Sequence, residues 1–127
     1  MPLVRVALRK GKNPEYRRAL SASIHRAMVE TIGIPEQDKF QIITEHDEDG
    51  LIYDRSYLGI SRSDGAILIQ ITLSTGRTVE VRKALFARIA GLLSDRPGLR
   101  PEDVFINLVE VAKENWSFGN GIAQYAT

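Results

Sequence analysis

The 127-residue sequence predicts a two-layer α/β domain of the α+β kind, a tandem β-α-β repeat folded as a four-stranded mixed sheet with two helices on one face. Three observations carry this. Alternating apolar residues mark strands, two stripes at helical spacing mark amphipathic helices, and the whole pattern recurs sixty-five residues later. Tyr16, Leu20, Ile24, Ala27 and Met28 form the first stripe; Val81, Leu85, Ile89, Leu92 and Leu93 repeat it position for position. The same offset pairs Gly11 with Gly76, Glu15 with Glu80, Arg17 with Arg82, Gly33 with Gly98, Asp38 with Asp103, Phe40 with Phe105 and Glu45 with Glu110. One offset held without a gap is an internal duplication. The chain is read as a single domain, 1–127, built from β-α-β units at 2–45 and 67–110, with a linker hairpin at 46–66 and a C-terminal hairpin at 112–127.

Residues 3–8 alternate, with Val4, Val6 and Leu8 on one side and Arg5 on the other, and form the first strand. Asn13-Pro14 reads as a helix N-cap followed by proline at the first helical position, where its missing N–H costs nothing. Gly33, with Pro35 just beyond, stops that helix. A strand at 40–44 follows Asp38. The second unit repeats the order: a strand at 66–73, a Gly76-Arg77-Thr78 turn and cap, a helix ended by Gly98 and Pro101, and a strand at 104–111. Parallel strands within each unit require right-handed helical crossovers. Both helices then lie on one face, and apolar residues on both sides of the strand at 66–73 predict that oligomerisation covers the other.

Composition narrows the function. A net charge of +1 gives no pull toward nucleic acid or an anionic membrane, and 43% hydrophobic content is ordinary for a globular chain. The absence of cysteine excludes a disulfide framework, a thiol nucleophile and thiolate metal sites. No stretch approaches the ~20 apolar residues of a membrane span, so a cytoplasmic location is expected. His25, beside the first stripe, and His46, in the joining segment, have no matched nucleophile and are read as structural or solvated. Asp47-Glu48-Asp49-Gly50 lacks the full spacing of a calcium loop and reads as an exposed turn.

Chemistry points to the chain start. Pro2 is small enough for Met1 to be removed, which would leave a rigid secondary amine against the first strand. An α-amino group titrates near pH ~8, and burial or a neighbouring cation lowers that value. Arg77, just before the second helix, offers a planar fork for a carboxylate where the helix dipole already favours anions. Trp116 and Phe118 lie beyond the repeat, either sealing a subunit contact or walling a pocket.

A proline at the mature N-terminus, a repeated β-α-β unit and the Gly76-Arg77-Thr78 turn together resemble the tautomerase superfamily, typified by 4-oxalocrotonate tautomerase. The Trp116-Ser117-Phe118-Gly119 ending looks most like its malonate semialdehyde decarboxylase branch. The resemblance implies a tautomerase, MIF-like fold, a homotrimer, a small-molecule oxo-acid substrate, no metal and no organic cofactor. By the same resemblance Pro2 is the catalytic amine, Asp38 works with it and orders a water, Arg77 grips the substrate carboxylate, and Trp116 and Phe118 form a hydrophobic wall. The decarboxylase pattern carries a second arginine where this chain has Thr75; Ser74 and Thr75 offer uncharged hydroxyl donors there. The reading is an N-terminal-proline enzyme, a lyase decarboxylating malonate semialdehyde or an isomerase tautomerising phenylpyruvate-like or 2-hydroxymuconate-like acids. A non-catalytic trimeric assembly or ligand-binding module is the reading of another class.

Overall fold

A computed structural model describes residues 2–126. Six elements follow in order: β1 (Leu3–Arg9), α1 (Pro14–Ile32), β2 (Gln41–His46), β3 (Ile67–Ser74), α2 (Val79–Asp95) and β4 (Val104–Val111). The sheet order is β2-β1-β3-β4. β1 pairs parallel with β2 and β3 parallel with β4, while β1 and β3 meet antiparallel in the middle. The result is the mixed sheet that two β-α-β units predict.

Amphipathicity builds the core. Val4, Val6 and Leu8 of β1 and Ile69, Ile71 and Leu73 of β3 point to the helix side, where they meet Leu20, Ile24 and Met28 of α1 and Leu85, Ile89 and Leu93 of α2. All are almost fully buried, so each withdraws roughly 1.5–3 kcal/mol worth of apolar surface from water. The opposite sheet face stays open in the protomer. Ile42, Phe105 and Val109 are more than a third exposed there.

The duplication reaches individual bonds. Asn13 accepts from the Tyr16 N–H at 2.9 Å, and Thr78, its repeat equivalent, accepts from the Val81 N–H at 3.2 Å. Arg17 pairs with Glu45 at 3.2 Å, and Arg82 with Glu110 at 2.9 Å. The Lys10 N–H donates to the His46 carbonyl, as the Thr75 N–H does to the Val111 carbonyl, both at 2.9 Å. The two ends of the sheet are therefore copies of one another.

Two expectations differ in detail. α2 ends at Asp95 rather than running on to Gly98, because Pro97 disfavours helical geometry at Arg96, whose φ/ψ is −148/121. Gly98 and Leu99 then both donate to the Leu93 carbonyl, at 3.0 and 2.9 Å, and close the helix end. Neither connecting segment forms paired strands among the described residues: 47–66 carries a short 3-10 turn at Tyr57–Gly59, and the tail carries turns at Lys113–Asn115 and Gln124–Ala126. No helix among the described residues is long and apolar enough to cross a membrane.

Candidate active site

Strand order decides what meets the start of β1. Val4 lies opposite Gln41 of parallel β2, and Leu3 opposite Thr72 of antiparallel β3. Pro2, one residue earlier, is therefore flanked by the run-in to β2 and by the end of β3. The Val4 N–H donates to the Phe40 carbonyl at 3.0 Å, which fastens the segment from Asp38 to Phe40 alongside. Pro2 is buried. Met1, whose loss would turn the Pro2 nitrogen into an amine, lies outside the described residues.

Asp38 follows a tight turn closed by its N–H on the Pro35 carbonyl at 3.0 Å. Burial raises its carboxyl above the usual carboxylate range, while the positive charge at the chain start and His25 pull it back down. His25 thus belongs to the surroundings of Asp38. Its Nε2 lies 2.8 Å from the Glu36 carbonyl, which can only accept, so Nε2 carries a proton. Its Nδ1 is buried. Spacing alone had not joined His25 to Asp38, because the pairing runs from α1 to the loop after it.

Arg77 stands in the turn between β3 and α2. Gly76, at φ +119, bends the backbone through a region side chains avoid, and the Arg77 guanidinium folds back so that Nη1 donates to the Ser74 carbonyl at 3.0 Å. Its remaining N–H groups keep their fork. Thr78 then caps α2, whose first N–H groups open beside Arg77.

Ser74 is nearly buried, and its Oγ accepts from Trp116 Nε1 at 3.1 Å. The serine oxygen is thereby engaged while its own proton remains to donate. Thr75 is exposed. Phe118 stacks on Trp116 with centroids 5.7 Å apart, and Tyr125 meets Phe118 edge-on at 4.9 Å. Ser74, Thr75, Gly76, Arg77, Lys113 and Tyr125 line an open pocket of about 620 Å³. Pro2, Asp38, Trp116 and Phe118 lie outside that lining. Lys113 and Tyr125 carry no motif, and the sequence had not singled them out.

The second unit handles its aspartate differently. Asp103 is 3% exposed and accepts from the Ser63 N–H at 2.7 Å and the Ser63 hydroxyl at 2.5 Å. The repeat counterpart of Pro2 is Ile67, held inside β3.

A chain of two β-α-β units, with a proline at the inner strand's start and an arginine turn at its neighbour's end, has the layout of proline-dependent tautomerases. A family described as tautomerase enzyme matches residues 38–119, and a second pattern of the same description matches residues 2–58. Probable tautomerase YusQ of Bacillus subtilis (strain 168) is 44% identical over 124 residues, covering 98% of each chain. The crystal structure of FG41 malonate semialdehyde decarboxylase inhibited by 3-bromopropiolate is 40% identical with a TM-score of 0.92, covering 98% of this chain and 94% of that one. A fused 4-OT symmetric trimer is 26% identical with a TM-score of 0.80, covering 98% of both chains. The chain belongs to the tautomerase superfamily and is an enzyme of that family.

Proposed function

We propose that this protein is an N-terminal-proline enzyme of small oxo acids, with decarboxylation of malonate semialdehyde as its leading reaction. The observation that supports the reading is strand order, which brings the start of β1, the run-in to β2 and the end of β3 to one end of the sheet. The 40% identity to a malonate semialdehyde decarboxylase supports that reaction over others. Arg77 binds the substrate carboxylate. The Pro2 amine, protonated and favoured in that state by the Asp38 carboxylate, donates to the 3-oxo group. The bond to the carboxylate carbon breaks, its electron pair moves through the forming enol toward the polarised oxygen, carbon dioxide leaves, and a proton returns to carbon. Trp116 and Phe118 supply the apolar wall beside the reacting carbons.

A second reading is keto-enol tautomerisation, favoured by the name of the Bacillus relative and by Thr75, which leaves no arginine two residues before Arg77. There a neutral Pro2 takes a proton from the carbon beside the carbonyl and returns it elsewhere. Copies of the chain assemble as trimers, the state of a fused 4-OT neighbour, and the open sheet face is the surface available for the contact.

Mature mass and steady-state assays on malonate semialdehyde and on an enolpyruvate decide between these. Pro2→Ala is expected to lower kcat at least ~100-fold on the true substrate with the fold intact. Arg77→Ala is expected to raise KM about tenfold or more. A retained Met1, or a Pro2→Ala variant as active as the parent, would end the reading.

A further inference from the structure

The two ends of the sheet are an internal control for each other, and their charges differ. At the end formed by the close of β1, a pocket of about 470 Å³ is lined by Lys12, Arg9 and Lys10 together with Asp47, Glu48 and Asp64. Cations and carboxylates balance, and Arg9 pairs with Asp64 at 3.4 Å. At the end formed by the close of β3, the repeat counterpart of Lys12 is Arg77 and that of Glu48 is Lys113. The turns carrying Glu48 and Lys113 begin at the same distance from β2 and β4, so the substitution is a charge reversal at one place in the fold. Among the described residues, no carboxylate lines the Arg77 pocket and neither Arg77 nor Lys113 makes an ion pair.

We infer that Lys113 is a specificity-determining residue that, with Arg77 in the same pocket lining, binds the anionic group of the substrate. The inference rests on the oxo-acid reading above for the identity of that anion. Two like charges around one pocket repel, and an anion between them converts the repulsion into two attractions. The backbone places Lys113 for this. The Asn115 N–H donates to the Ala112 carbonyl at 3.0 Å and the Trp116 N–H to the Lys113 carbonyl at 3.4 Å, closing the turn. Trp116 then ties the turn to the end of β3 through Ser74 Oγ. Arg77, pinned by the Ser74 carbonyl, is the fixed partner; the ammonium on its four-carbon stem is the adjustable one.

The test uses the full-length protein with malonate as probe and uncharged malonamide as control. Binding is measured by calorimetry and by the emission of Trp116, the single tryptophan. Lys113→Met is expected to weaken malonate binding about fivefold, the loss of one exposed ion pair, while Lys113→Arg stays within about twofold of the parent. Malonamide binding should not respond. On the oxo-acid substrate the same Lys113→Met change is expected to raise KM by a similar factor, with kcat little altered. Failure of malonate to bind the parent, unchanged binding in Lys113→Met, or an equal loss in Lys113→Arg would overturn the role. Lys113-dependent malonate binding without turnover of any oxo acid would instead sink the functional reading and leave this one standing.

Discussion

Asp38 carries a carboxyl whose burial costs stability at neutral pH. Burial lifts its pKa above the ordinary carboxylate value of about 3.9, so the native state holds its proton more tightly than the unfolded chain does. Its contribution to stability is then greatest below that ordinary value and declines as pH rises through the native one. Asp38→Asn is expected to keep a melting temperature at neutral pH equal to or above the parent's, with the gap closing as pH falls toward about 4. Thermal melts across that range check it; a variant that is less stable at pH 7 and recovers in acid would contradict the sign. The arginine and proline were legible in the sequence because each belongs to a local pattern. His25 and Lys113 were not, since each enters the site through a contact between separate elements.

At the level of elements, the helix starts were readable because capping is local: Asn13 and Thr78 accept from the N–H groups three residues on. The repeat turns them into a matched pair. Asn13→Ala and Thr78→Ala are each expected to lower stability by about 1 kcal/mol in denaturant titrations. Only the second adjoins Arg77, so it alone should also raise KM for an oxo acid. Equal kinetic effects from both caps would mean that the Arg77 turn is not positioned by α2. The joining segment, read from the sequence as a loop or hairpin over 46–66, is irregular over 47–66 for a physical reason. It is held by Tyr53, whose ring centroid lies 5.4 and 5.0 Å from the guanidinium carbons of Arg9 and Arg55 and whose hydroxyl donates to the Ser63 carbonyl at 2.6 Å. Such cation–π contacts span distant residues and leave no periodicity in the sequence.

For the whole molecule, the decisive asymmetry lies between the two faces of the sheet. Along β3, Ile67, Ile69, Ile71 and Leu73 are buried under the helices, while Leu68 lies on the other face beside exposed Phe105. The apolar residues on both sides of that strand were visible in the sequence, and they foretold a face in need of cover. Phe105→Glu, placing a charge on the edge strand β4 of that face, is expected to shift the sedimenting species from three chains toward one while circular dichroism stays native. An unchanged mass would remove this face from the assembly.

The clasp of Ser63 on Asp103 bears on how the two units share their duties. With that carboxylate held by the connector, and an isoleucine standing where the other unit starts with proline, the proposed reactive centre has no counterpart in the second unit. On the proposed reading, the later half serves as framework around the earlier half's amine and lends it Arg77 and Lys113 from across the seam.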